Sequence, residues 1–499
     1  MKFYFFLFLS LFSIPLLGKQ REQIDSILTY HVEAKVQAGT GTYAPLWFTA
    51  NQYGLMGNEL NATFLRTGFT LKKQVKNYWH INAGLDFTSG VNITSTSAIQ
   101  LHQVYADFGW KKLNISFGRK EQQIFPLNKN KKLSSGMLVE GLNTRPIPQV
   151  RAEITDFLDI PYTKKWISFK GHLAYGQFVE GNWQKDFVNS GSTFVKNVLY
   201  HSKSLMLRIG NKEKLPVEFE FGILMAAQFG GEQYIKRSDG IEEKILDMPN
   251  GFKAYWKAFF PQAGSENTPY GEQTNIEGNQ VGSWNFALNL YPNDWKFRIY
   301  LEHYFEDHSQ MFWEYGCWKD GQLGLEITIP HNKWISNIVW EGMNMKDQSG
   351  PLLYNSSEGQ FPEYQISGLD FYYNHYIYGA WQYMGMGMGN ALLPGPLYNK
   401  DHSISFRSNR VKSQHIGLEG KPFTELGYRL LLSYVRHWGT YYNPLDKQRK
   451  QFSSMLELTY TPRRYKGWSG SIAMGIDRGN YLGNSTGGSL SIRKTGRIF

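Results

Sequence analysis

Short runs along this chain alternate between apolar and polar side chains. In YWHINAGLDF, Trp79, Ile81, Ala83, Leu85 and Phe87 interleave with His80, Asn82 and Asp86. KLNISFG sets Leu113, Ile115 and Phe117 against Asn114 and Ser116. WISFKGHLAY sets Ile167, Phe169, Leu173 and Tyr175 against Ser168, Lys170 and His172, and VGSWNFALNL sets Trp284, Phe286, Leu288 and Leu290 against Ser283, Asn285 and Asn289. A period of two means strands, because successive side chains of an extended chain point to opposite faces. A soluble sandwich alternates as well. Aromatics at the ends of the apolar faces, with polar faces opposite, fit better a barrel that meets lipid outside and polar groups inside.

The links between these runs have a rhythm of their own. Short ones fall at 74–77, 109–111, 159–165, 211–214, 292–294, 330–333, 421–426 and 462–467. Longer ones alternate with them at 88–96, 120–147, 180–196, 230–280, 306–321, 345–402, 439–450 and 477–487. This pattern predicts an all-β fold, an antiparallel outer-membrane barrel of about eighteen strands with short periplasmic turns and long extracellular loops. The count takes 404–420 as one long strand. An even number returns the C-terminus to the periplasm, and the chain ends on Phe499, an aromatic of the kind barrel assembly machinery reads. Within 230–280, GFKAYWKAFF (251–260) reads as a short amphipathic helix packing Phe252, Tyr255, Trp256 and Phe259, either as a small plug or lid or as a surface helix.

Composition narrows the setting. MKFYFFLFLSLFSIPLLGK has a basic start at Lys2, an apolar run over 3–17 and the small Gly18, the layout of a signal peptide. The expected division is a leader over 1–18, a short periplasmic segment over 19–30 and a barrel over 31–499. The 499 residues show no linker or composition break at which to cut further domains. Cys317 is the lone cysteine, so no intramolecular disulfide forms. An exported chain rich in Gly and Tyr without disulfides suits a Gram-negative envelope. A formal charge of +11 points to anionic company. For an exported chain that means lipopolysaccharide phosphates or an acidic polysaccharide rather than nucleic acid.

Catalytic chemistry finds little footing. No HExxH, GxSxG, Walker loop or Cys/His cluster occurs. The busiest stretch, EHYFEDHSQMF, holds Glu302, His303, Glu306, Asp307 and His308, but its two histidines are five apart and point to opposite faces of a strand. Glu306 and Asp307 fall where strand becomes loop and suit a hydrogen-bonding role. No catalytic residue, metal or cofactor is expected. Saccharide recognition has better materials: aromatic faces stack on sugar rings, and basic groups hold carboxylates. Trp47, Tyr53, Trp183, Trp313, Trp318, Trp381 and Tyr441 fall on loops, as do Lys129, Lys131, Lys132 and Arg145. Membrane-girdle or loop-core packing is the plain alternative for the aromatics, and solvation or lipopolysaccharide contact for the lysines.

Several segments, in order, carry a resemblance. Ser135-Gly136 leads to Arg145-Pro146-Ile147-Pro148; EGNQVGSWNF holds Gly278-Asn279 and Gly282; FEDHSQMF precedes Asp320-Gly321-Gln322-Leu323-Gly324-Leu325. YYNHYIYGAWQYMGMGMGNALL, NRVKSQHIGLEG (409–420) and the N-terminal PLWFTANQYG complete the set. Together they resemble the Wzi family of outer-membrane capsule-assembly proteins, in its Bacteroidetes form. The resemblance implies an 18-stranded barrel, obstructed by helical elements, that binds and organises capsular or related surface polysaccharide as a non-enzymatic lectin. The chain departs from the family at Glu140-Gly141-Leu142-Asn143, where a small Ser-Gly-Asn step is expected, and it shows no periplasmic helical bundle beyond the short region 20–30 and the helix near 251–260. A porin-like diffusion channel for anions or saccharides is the alternative, and an outer-membrane hydrolase a third class.

Arg145-Pro146-Ile147-Pro148 belongs, on loop counting, to the end of an extracellular loop entering a descending strand. Pro148 then takes the strand's first position, where its missing N–H costs little. The stretch reads first as a rigid loop-to-wall joint; the functional alternative is that the joint holds Arg145 at the rim toward an acidic glycan. Lipids and lipopolysaccharide, the polysaccharide and the barrel assembly machinery are the expected partners of a monomer.

Overall fold

The computed structural model describes residues 26–75, 78–93, 99–274, 276–306, 311–312, 319–348 and 370–499. Eighteen antiparallel strands close a barrel. They are β1 Ser26–Gly41, β2 Ala62–Gln74, β3 Trp79–Val91, β4 Ile99–Trp110, β5 Leu113–Arg119 and β6 Pro148–Ile154. Next come β7 Ile167–Gln177, β8 Leu199–Ile209, β9 Val217–Phe229, β10 Asn279–Leu290, β11 Lys296–Glu306 and β12 Gly321–Thr328. The last six are β13 Asn337–Asn344, β14 Val411–Gly420, β15 Leu426–Gly439, β16 Pro444–Tyr460, β17 Trp468–Gly479 and β18 Ser485–Arg497. The two residues Leu158–Asp159 carry the edge of β6 onward along β7. Closure is made by β1, which pairs with β2 on one side and with β18 on the other. The Leu28 N–H donates to the carbonyl of the terminal Phe499 at 3.0 Å, so both ends of the strand path meet at the short-turn rim.

The wall is inside out relative to a soluble protein. Leu113, Ile115 and Phe117 are exposed while Asn114 and Ser116 are buried. Ser168, Lys170 and His172 are buried on β7, and Ser283, Asn285 and Asn289 on β10, while their apolar neighbours face outward. Polar groups packed this deeply need partners. On the inner face of β9–β11, Arg298 donates to Glu220 at 2.9 Å and to Asn289 at 2.7 Å, and Asn289 donates to Glu220 at 3.0 Å. No described helix is long and apolar enough to cross a membrane; the crossing is made by strands. The inside-out closed wall makes this an outer-membrane β-barrel.

Several boundaries moved. β1 starts at Ser26, within the segment expected to precede the barrel. The strand expected over 404–420 is only Val411–Gly420, and eighteen strands result without the extra length. The loop expected over 439–450 is mostly strand: β15 and β16 run on beyond the rim as a tall hairpin joined at 440–443. Pro148 does open β6 as its first residue. The leader expected over 1–18 lies outside the described residues.

Three long excursions fold back into the lumen. Residues 42–61 carry the helical turn α1 Leu46–Thr49; residues 120–147 cross the barrel interior; and the described part of the β13–β14 excursion, 370–410, fills its outer half. Leu46, Trp47 and Phe48 pack in one apolar cluster with Leu138, Val139, Tyr373 and Trp381. The same cluster takes in wall residues from β9, β11, β13, β15 and β16, namely Leu224, Tyr304, Val339, Leu431 and Met455. The core of this protein is therefore a plug, and it reaches from wall to wall.

Candidate functional site

The plug is hung on two wall carboxylates. Glu341 of β13 accepts from Ser134 Oγ (2.7 Å), the Ser135 N–H (2.6 Å) and the Tyr300 hydroxyl (2.6 Å). Glu302 of β11 accepts from the Leu138 N–H (2.8 Å) and from Lys129 Nζ (2.6 Å). Lys129 completes its shell with Gln322 Oε1 (2.6 Å) and the Gly136 carbonyl (3.0 Å). Gly136 sits at φ +116, a conformation L side chains rarely adopt, which lets the chain turn between the two anchors. The Ser135-Gly136 pair is thus a docking hinge.

Above this hinge the quoted motif segments converge. Asn143 Oδ1 accepts from the Asn51 N–H at 2.8 Å, and Asn143 Nδ2 donates to the Gly389 carbonyl at 2.9 Å. The Gly141 N–H donates to Met388 O at 2.8 Å, and the Tyr53 N–H to Leu142 O at 2.6 Å. Trp381 Nε1 donates to Val139 O (2.8 Å) and the Tyr373 hydroxyl to Leu138 O (2.9 Å). A Cβ on Gly389 would lie 2.3 Å from Leu138 O, so the Gly-Met-Gly run is what lets the two segments touch. The departure at Glu140 is absorbed where the plug meets the wall, Glu140 accepting from the hydroxyl of Tyr200 on β8. Burial pushes that carboxyl above its ordinary range.

This architecture relocates most of the candidate binding residues. Lys129 is buried and neutralised by Glu302 inside the barrel. Lys131 donates to Gln123, and Lys132, though exposed, passes its carbonyl to Arg429 on β15, toward the short-turn end. None of the three lines an extracellular loop: segment 120–147 turns inward because its apolar residues and Ser-Gly hinge find partners on the inner wall. Arg145 is likewise buried, not presented at the rim. The Gln100 side-chain oxygen accepts from its Nη1 at 2.8 Å. Burial, with Arg119 close by, pulls the Arg145 guanidinium down to about 10. Trp47 and Trp381 are core residues, the former packed on His415 with centroids 5.1 Å apart. Trp183 is half-buried in the helical turn α2 Trp183–Phe187, stacked on Phe187 at 4.7 Å. Trp313 and Trp318 lie outside the described residues. Glu306 has the hydrogen-bonding role expected of it, accepting from the Tyr304 hydroxyl at 2.6 Å.

The expected helix forms as α3 Phe252–Phe259, but it is no plug. Its small face, Ala254 and Ala258, packs beside Phe229, and its Tyr255 carbonyl accepts from the hydroxyl of Tyr175, an outward residue of β7. It lies against the outside of the wall, with Phe252 84% exposed.

What the outer face of the plug offers is a set of braced aromatic rings. Tyr376 is 58% exposed, stacked on His375 at 4.8 Å. His375 lies 3.3 Å from Glu272, in the helical turn Tyr270–Thr274. Burial opposes ionisation of Glu272, yet His375, the Gly278 N–H and the Tyr376 hydroxyl together hold its carboxyl below the ordinary range. A second group lies at the tip of the β15–β16 hairpin, where Tyr442 is edge-on to Phe371 at 4.9 Å and the Arg410 guanidinium lies over Tyr441 at 3.9 Å. Flat rings fixed from behind, beside ionised groups, are suited to stacking on pyranose faces and holding hydroxyls. Sequence reading named Tyr441 among these but missed Tyr376 and Tyr442, whose surroundings depend on how the plug and the β15–β16 hairpin fold. Among the described residues no cluster of His, Cys, Asp or Glu could hold a metal ion.

A closed, lipid-facing antiparallel wall around an internal plug places the chain in the class of outer-membrane β-barrels. Among solved structures it is similar to Wzi, described as an outer-membrane protein involved in group 1 capsule assembly in Escherichia coli and a carbohydrate-binding β-barrel, with a TM-score of 0.58 at 13% identity over 93% of this chain and 83% of that one. Pseudomonas aeruginosa OprD aligns with a TM-score of 0.47 at 8% identity, covering 95% and 96% of the two chains. The chain therefore has a Wzi-like barrel fold. No protein-family profile and no curated protein sequence matches it.

Proposed function

We propose that this barrel binds a capsular or related surface polysaccharide at the cell exterior and holds it there without chemical turnover. The observation that carries the reading is the plug. An apolar core reaching from wall to wall serves a scaffold better than a conduit; its outer face carries the braced ring of Tyr376, and the tip of the β15–β16 hairpin adds Tyr442 against Phe371 and Tyr441 under Arg410. Trp183, on its helical turn, extends the aromatic set. Resemblance to Wzi, itself described as carbohydrate-binding, supports the same direction. Weak stacking and ionic contacts repeated along one polymer would give avidity without a deep pocket. On this reading the chain is exported by a cleaved leader, inserted by the barrel assembly machinery and works as a monomer.

Deletion of the gene, with cell-associated and shed polysaccharide measured separately, tests it. Polysaccharide should move from the cell-bound to the shed fraction; unchanged attachment rejects the proposal. One observation favours a second reading, a diffusion path for anions or saccharides. The inner wall of β2–β4 is polar, with Arg66 bridging Asp86 of β3 and Glu121 of the inward segment 120–147 at 2.6 Å each, and His102 2.9 Å from Glu121. Planar-bilayer recordings separate the two, since a large steady conductance belongs only to the channel.

A further inference from the structure

On the outside of the wall, three cations stand directly opposite one another. Lys412 of β14 pairs in register with Arg436 of β15, and Arg436 with Lys450 of β16. Their neighbours Val411, Ser413, Val435 and Gln451 are buried on the inner face, so all three point outward. Like charges facing each other across strands are destabilising unless an anion comes between them. None of the three forms an ion pair among the described residues. Lys319, close by, has one weak partner, Asp347 at 3.6 Å.

The height of this row is informative. Below Arg436, outward residues Leu426, Tyr428, Leu430, Leu432 and Tyr434 form an unbroken apolar stripe. Below Lys450 come Phe452, Ser454, Leu456, Leu458 and Tyr460. A stripe of this length on a tilted strand rises about 22 Å, close to the apolar band of an outer-membrane barrel. The cations therefore stand where lipid headgroups begin. Directly beneath them is a groove of about 500 Å³, lined by Leu323, Trp340, Gly342 and Tyr434 and rimmed by Lys412 and Arg436. Gly342 makes the room: it sits between Leu323 and Gln414 in register, and a Cβ there would come within 3.3 Å of the Trp340 ring.

We propose that this face binds a phosphorylated acyl lipid of the outer leaflet, with a phosphate across Lys412, Arg436 and Lys450 and an acyl chain in the groove over Gly342. The site is separate from the polysaccharide reading and stands without it. Purified full-length protein in mild detergent is titrated by native mass spectrometry with a bisphosphorylated acyl-glucosamine disaccharide lipid, its phosphate-free counterpart and inorganic phosphate. Wild type should hold the phosphorylated lipid about tenfold more tightly than the phosphate-free one, and Lys412→Gln with Arg436→Gln should erase that preference. Gly342→Leu should weaken both lipids while the cations remain. Equal retention by the double variant, equal binding of the two lipids, or inorganic phosphate competing as well as the lipid overturns the proposal. So does a co-purifying protein that occupies this face in place of lipid. Heat-modifiable gel migration verifies that each variant is folded, and Lys450→Gln, at the exposed edge of the row, serves if the double variant is not.

Discussion

Two long excursions of this barrel look alike as gaps between strands and fold in opposite directions. Residues 120–147 turn into the lumen. Residues 230–278 do not thread the lumen: Glu232–Lys236 and Glu242–Asp247 build a small sheet with Thr193–Lys196, α3 leans on the outer wall, and Met248 and Glu272 touch the plug from this side. The inward one buries Leu133, Met137, Leu138, Val139, Leu142 and Ile147. The outward one is laced with exposed charge, Arg237 near Asp239 and Glu243, and Lys244 near Glu232 and Asp247. A loop enters a barrel when its apolar side chains gain more by leaving water than its polar groups lose, and only if those polar groups meet partners inside. Glu302 and Glu341 are those partners. Length announces an excursion; the wall residues it meets decide its direction.

The sharpest way to break this contrast is to remove an anchor. Lys129→Ala would leave Glu302 buried without its counter-ion and should destabilise the plug by about 3–5 kcal/mol. Differential protease cleavage at 125–140 and a lowered melting temperature would register it, while an unchanged melt would show that the carboxylate hydrates freely. A smaller effect is expected from crowding the seam between plug segments. Gly389→Val drives a side chain into the Leu138 carbonyl, and overpacking of this kind costs about 1–3 kcal/mol. Fluctuating conductance in planar bilayers, absent from the wild type, is the readout. Changing the outer face should leave stability alone: Tyr376→Ala should reduce binding of purified surface polysaccharide by about tenfold through lost stacking, with no shift in the melt. The smallest effect belongs to Arg145→Ala. Because the side chain is buried, polysaccharide retention on cells should match the wild type; a marked loss would return Arg145 to the binding surface.

The barrel was legible because a strand's alternation is local and the membrane reverses its usual sense. Phe117 and Ser116 declare their faces from neighbouring positions alone. The loop rhythm was legible too, down to Pro148 opening its strand. The binding residues were not. Lys129, Trp47 and Trp381 looked like loop furniture because a sequence shows an absence of strand pattern, not whether the segment lies over the rim or under it. Tyr376 needed His375 and Glu272, roughly a hundred residues apart, to meet before its ring became a braced surface. The helix at Phe252–Phe259 was recognised by periodicity, but its side of the wall was not.

By itself, the sequence determined an outer-membrane barrel: period-two alternation with polar residues on the inner set, short and long connectors in turn, and charge that seeks anions. Those are properties of neighbours along the chain. The tertiary structure decided everything that depends on register and on which loop meets which wall. It turned Ser135-Gly136 into a hinge between Glu302 and Glu341, and it brought Lys412, Arg436 and Lys450 into one row from strands whose alignment only closure of the sheet sets. Electrostatics acts across space, so residues that share a site need not share a segment.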